Sequence, residues 1–112
     1  MKTNNKLKFK NVSKNKLNRK NIIKIIKQIK PILKNQYGIN KIGIFGSFSR
    51  NETDSNSDLD IVVEQHNPDL FDLIGAKQFI EELLKVHVDI VRYRNNMNQK
   101  LKDRIDKDAI YV

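Results

Sequence analysis

The run Asp58-Leu59-Asp60-Ile61-Val62-Val63 constrains this chain more than any other stretch of it. Its composition is that of a strand, and side chains alternate along a strand, so Asp58 and Asp60 share one face while Leu59, Ile61 and Val63 share the other. Such a strand is a boundary. One face must meet a core and the other must meet something that neutralises it, because like charges a few ångströms apart do not both stay ionised without compensation. A hard divalent ion such as Mg²⁺ fits, since it takes one or two carboxylates and leaves places for substrate phosphates. The later apolar run Val86-His87-Val88-Asp89-Ile90-Val91 carries a third aspartate. Flanked by Val88 and Ile90, Asp89 must face away from the core, on a strand beside that of Asp58.

Upstream, Lys41-Ile42-Gly43-Ile44-Phe45 is a short strand-type run closed by Gly46-Ser47, with ten residues between Ser47 and Asp58. Ser47 is expected to cap a short helix from Ser47 to Arg50. Backbone N–H groups at such a start, beside a residue small enough to allow close approach, seat a phosphate. Arg50 could then reach an outer phosphate. Together these features read as a metal-nucleotide site.

The surrounding elements follow from periodicity. Ile22, Ile23, Ile25, Ile26, Ile29, Ile32 and Leu33 recur at helical spacing, with Asn21 as a cap, Pro31 expected to kink or restart the helix, and Gly38 ending it. His66-Asn67-Pro68-Asp69 closes the second strand, and Leu70 to Leu84 form an amphipathic helix leading to the third. A last helix, about Met97 to Asp106, precedes Ala109-Ile110-Tyr111-Val112. Helices alternating with three strands predict an α+β fold, a small mixed β-sheet backed by helices.

At 112 residues the chain is one domain, of a size that buries roughly two-thirds of its unfolded surface. Without cysteine it has neither disulfides nor a thiolate zinc site. No apolar run approaches a membrane span or a signal peptide, so a cytoplasmic protein is expected. The net charge of +9 suggests nucleic acid, but residues 1–20 hold seven Lys and one Arg with no acid, which leaves 21–112 nearly neutral. Residues 1–20 therefore read as a flexible basic arm able to meet phosphate backbones or an acidic surface, and 21–112 as the folded domain. His66 reads as an exposed turn residue. His87, two residues before Asp89, reads as a cleft-lining substrate contact, and Arg92 and Arg94, flanking Tyr93, as solvated or phosphate- or partner-binding.

The stretch GSFSRNETDSNSDLDIVVE, the later VDIV and the terminal LKDRIDKDAIYV together resemble the minimal nucleotidyltransferases of the polymerase-β-like superfamily. The resemblance covers Ile22 to Val112, with Asn51 standing where that family usually has glycine. It implies a polymerase-β-like nucleotidyltransferase core and transfer of a nucleoside monophosphate to a hydroxyl with loss of pyrophosphate. Asp58 and Asp60 would hold two Mg²⁺ ions that bridge ATP, Asp89 would join them and orient or deprotonate the acceptor, and Gly46, Ser47 and Arg50 would bind the nucleotide.

The resemblance extends to antitoxins that adenylylate a tyrosine on a HEPN-type toxin partner. A chain this small has no second domain to shape a small-molecule pocket, which favours a protein acceptor over a small-molecule hydroxyl. The competing class is a binding module that neutralises a partner by contact alone. A pure binder has no physical need for three converging carboxylates.

Overall fold

The computed structural model describes residues 17–54 and 56–112. Helix α1 spans Arg19–Tyr37, and Asn18 caps it by accepting the Asn21 amide at 2.9 Å. The cap thus sits three residues before the expected Asn21, which instead supplies the third helical amide that a capping side chain seeks. Ile22, Ile26, Ile29 and Leu33 form its buried stripe. Pro31 neither ends nor restarts the helix. It lies on the exposed face, where the carbonyl one turn back, left without its amide partner, meets water. Gly38 closes the helix in the left-handed conformation, φ 64°, and donates its amide to Leu33 and Lys34 carbonyls.

Part of the expected basic arm belongs to this fold. Leu17 is buried in the core, and Arg19 Nη1 donates to the Ser49 carbonyl at 3.1 Å. The rest of the arm lies outside the described residues.

Four strands form one sheet in the order β3-β2-β1-β4, with β1 at Ile39–Phe45, β2 at Leu59–Gln65, β3 at Val88–Arg92 and β4 at Ile110–Tyr111. β1 runs antiparallel to β2 and β4, while β2 and β3 are parallel. A parallel pair needs a crossover, supplied by helix α2, Leu70–Leu84. Asp69 caps α2 by accepting the amides of Phe71 and Asp72. Helix α3, Gln99–Asp108, follows β3.

The sheet has four strands rather than the expected three, because Ile110–Tyr111, past the last helix, form β4. β4 is only two residues long, too short to show a period, and it is tied down from outside itself. Val112 donates to the Ile42 carbonyl at 2.9 Å, and Lys30 Nζ donates to the Val112 carbonyl at 2.8 Å.

The expected α+β class, with a mixed sheet backed by helices, is what the chain adopts. Ile42, Ile44, Leu59, Ile61 and Val63 pack one sheet face against α1 and α2. On the other face Phe45 and Val62 pack with Met97 and Ile105, so α3 covers the side that carries the acidic residues. α3 is polar apart from this contact, and Ile105 is its one buried residue. Truncating such a side chain costs roughly 2–5 kcal/mol.

Candidate active site

Strand register builds the site. Phe45 is the Cα partner of Asp60, and Asp60 is the partner of Asp89. Directly opposed residues project to the same face, and neighbouring strands lie about 4.8 Å apart. A row of side chains, Phe45-Asp60-Asp89, therefore crosses three strands on the α3 face. Asp58 immediately precedes β2, two residues from Asp60. The structure thus brings together the three aspartates singled out by sequence. Asp60 is half-buried, whereas Asp58 and Asp89 are exposed. Burial first, then the charge of Asp89, raises the Asp60 carboxyl above its ordinary pKa. Arg104 on α3 opposes that shift.

Gly46 sits in the left-handed region at φ +73°, and a Cβ there would collide with the Asp60 Oδ2 and lie 3.1 Å from its Cγ. Glycine is needed for the backbone and for the carboxylate's room. After it comes a hydrogen-bonded turn rather than the expected helix capped by Ser47. Arg50 N donates to Gly46 O at 3.1 Å, Asn51 N to Phe48 O at 3.2 Å, and Glu52 N to Ser47 O at 2.9 Å. Asn51 stops it at φ 60°, a conformation asparagine tolerates better than most side chains. A single turn still leaves its first amides at an open N-terminal end, as a helix does. Buried Phe48 anchors the turn, and the Ser49 hydroxyl donates to Gly46 O at 2.8 Å.

Arg50 is not free. Its Nη1 lies 2.6 Å from Asp108 Oδ2 and its Nε 2.9 Å from Glu52 Oε1, so it bridges the turn to the end of α3. These acids raise the guanidinium pKa further. Those bonds hold the guanidinium toward α3 and the turn, and a phosphate would compete with Asp108 and Glu52 for it. Sequence reasoning passed over a second cation, Arg104, whose guanidinium stands 5.7 Å from the Phe45 ring centroid. Because Phe45 opposes Asp60, that position puts Arg104 beside the carboxylate row. The only sequence signal was its place on a helix whose face was unknown before the fold.

His87 does not line the cleft. Glu81 holds it, with His87 Nδ1 at 3.0 Å and the Val88 amide at 2.9 Å from the same Glu81 oxygen. Strand alternation was the wrong guide, because β3 begins only at Val88. His66 is exposed in a turn, as expected. Arg92 and Arg94 border a groove of about 520 Å³ beyond the site.

Among the described residues no three His, Cys, Asp or Glu side chains form a ready-made metal cluster. The aspartates nonetheless suit a hard divalent ion. Their donors are all oxygens, the charge on Asp60 is opposed by its surroundings, and Mg²⁺ completes its shell with phosphate and water.

A glycine turn against a row of carboxylates, on a mixed sheet with helices on both faces, defines the catalytic core of a nucleotidyltransferase. The chain belongs to the nucleotidyltransferase domain family, which it matches over residues 26–112. It is similar to the protein adenylyltransferase MntA of Thermococcus cleftensis, 31% identical over 81 residues that span 71% of this chain and 81% of that one. A Methanocaldococcus jannaschii relative, named as a proposed protein adenylyltransferase, is 42% identical over 93 residues, 82% of this chain and 98% of its own. Among solved structures, one described as a proposed minimal nucleotidyltransferase superposes with TM-score 0.70 at 27% identity, covering 85% of this chain and 96% of that chain. A toxin–antitoxin complex with AMP-PNP superposes at 0.61 and 26% identity, covering 85% and 72%.

Proposed function

We propose that this protein transfers AMP from ATP to a hydroxyl, most simply a tyrosine, of a HEPN-type partner and so acts as a cytoplasmic antitoxin. The observation that carries the reading is the in-register row Phe45-Asp60-Asp89 with Gly46 packed against the Asp60 carboxylate. Relatives named as protein adenylyltransferases, and the fold shared with a toxin–antitoxin complex that holds an ATP analogue, support it.

Asp58, Asp60 and Asp89 would hold Mg²⁺, with two ions supplying charge compensation for the attacking and leaving oxygens. The turn amides after Gly46 receive the triphosphate, and Ser47 lies within that seat. Arg104, or Arg50 after release from Asp108, adds positive charge to the phosphates. The acceptor oxygen bonds to the α-phosphorus as the bond to the bridging oxygen breaks. Pyrophosphate leaves and the hydroxyl proton passes to Asp89 or to water. The partner positions its own side chain, and near-attack positioning can be worth roughly 7–11 kcal/mol.

Co-expression with the HEPN-type protein of the adjacent reading frame tests this by mass spectrometry. AMP additions on the partner are expected with the native chain and absent with Asp58→Asn. Asp89→Asn should keep most ATP affinity in calorimetry yet lose transfer by roughly 10²–10⁴-fold. An unmodified partner that Asp58→Asn still inhibits would establish the contact-only binding module instead.

A further inference from the structure

Among the described residues β3 is the end strand of the sheet, no strand pairs with its outer edge, and an apolar groove lies beside it. Two hydrogen bonds set the phase of the strand. Leu59 N donates to His87 O and Tyr93 N to Val63 O, both at 2.9 Å, so the backbone groups of 87, 89, 91 and 93 face β2. Those of Val88, Ile90 and Arg92 face outward. Glu81 covers the first by accepting the Val88 amide at 2.9 Å. Beyond it, among the described residues, the Ile90 amide and carbonyl and the Arg92 amide face outward without a strand partner, while the Arg92 carbonyl accepts from Arg94 Nη1 at 3.1 Å. An edge of this kind recruits another strand.

The groove beside that edge runs between the start of α2, through Pro68, Leu70 and Leu73, and the approach to α3, through Met97 and Leu101. Its α2 wall continues into a set of exposed apolar side chains, with Leu70 69%, Phe71 83% and Ile74 42% exposed. Single exposed apolar residues are ordinary, but three together on one helix face beside a groove mark an interaction site.

Charge gives the occupant its chemistry. Arg92 and Arg94 border the groove, and Arg94 Nη1 donates to the Arg92 carbonyl at 3.1 Å. The groove's acid, Asp69, is occupied in capping α2. A basic rim that meets no acid among the described residues, around an apolar floor, calls for an acidic, partly apolar segment.

We propose that the open β3 edge and its groove receive an extended acidic segment of the acceptor protein as a fifth strand. The proposal rests on the partner reading above and adds where that partner sits. Asp89 directly precedes Ile90 on β3. A segment paired along Ile90 and Arg92 delivers a neighbouring hydroxyl to Asp89 within one or two residues, roughly 3–7 Å along a strand.

The test measures partner affinity, partner modification and ATP affinity on the same proteins, using the co-expressed HEPN-type protein as probe. Phe71→Asp and, separately, Arg92→Glu with Arg94→Glu should each weaken partner binding by at least tenfold and slow modification to match. ATP affinity and circular dichroism should stay native. Acid-to-lysine changes on the partner should restore binding to the arginine-reversed variant. Unchanged partner affinity in both variants overturns the groove assignment while leaving the transferase reading intact. Binding lost in both variants, with a native partner that is never modified, overturns the transferase reading and keeps the docking site. Should Phe71→Asp convert a native dimer to monomer without touching partner affinity, the occupant is a second copy of this chain and the proposal fails.

Discussion

Replacing Gly46 by alanine separates the two demands made on that position. The first is backbone conformation. At φ +73° an L-residue is disfavoured relative to glycine by about 1–2 kcal/mol, partly offset by the lower unfolded-state entropy of alanine, about 0.4–1 kcal/mol. A net loss near 1 kcal/mol should lower the melting temperature of a domain this size by about 4–8 °C. The second demand is steric. The new methyl would overlap Asp60 Oδ2 and stand 3.1 Å from Cγ, but only 3.4 Å from Cβ, an ordinary contact. The carboxylate is the part that must move.

Asp60→Ala therefore removes the collision without altering the turn. In that background Gly46→Ala should retain only the backbone cost, and the difference between the two backgrounds isolates the clash. Thermal unfolding gives the stabilities, and calorimetric titration with ATP and Mg²⁺ follows the site. Gly46→Ala alone should abolish measurable ATP binding while the protein remains folded. Native ATP affinity in Gly46→Ala, or an equal stability loss in both backgrounds, would refute the packing of Gly46 on Asp60.

Asp60→Asn should raise the melting temperature at neutral pH without divalent ions. A carboxyl whose pKa is raised by folding stabilises least above its folded pKa and regains stability as acid protonates it, so the gain should shrink as pH falls through the raised folded pKa and be gone below the ordinary aspartate value of 3.8, as a melting series across pH would show. Arg104→Ala should weaken ATP binding by about tenfold, since hydrogen bonds to charged groups contribute about 1.5–3 kcal/mol, with AMP less affected. Equal losses for AMP and ATP would remove Arg104 from the phosphates. Deleting residues 1–20 should destabilise the protein, because it removes buried Leu17, the Asn18 cap and the Arg19 bond to Ser49. Leu17→Ala alone should cost roughly 2–3 kcal/mol in denaturant unfolding.

The aspartates were legible because strand alternation is a local rule. Once Asp60 lies on a strand with Leu59 and Ile61 buried, its face is fixed, and Asp89 obeys the same rule in a second strand. Gly46 was legible as a turn, though its contact with Asp60 depends on register across β1 and β2. Arg104 and the Arg50–Asp108 bridge were hidden because they depend on how α3 lies over the sheet, which its sequence does not state. His87 was misread through one residue of strand boundary, and β4 was missed because its pairing comes from residues nearly seventy positions away.

The parallel pairing of β2 with β3 also bears on how the chain reaches its native state. Asp60 and Asp89 belong to strands that meet only after the intervening crossover has docked, and their meeting sets two negative charges in adjacent positions. Closure of this parallel pair is slow in its own right, since the intervening chain is ordered before the contacts reward it. Electrostatic repulsion then opposes its last step. Divalent ions that bind the assembled pair and not the open chain shift that equilibrium by mass action. Under the metal role proposed for Asp60 and Asp89, magnesium would then act on this molecule before any nucleotide arrives, holding the edge strand in register while the substrate is still absent.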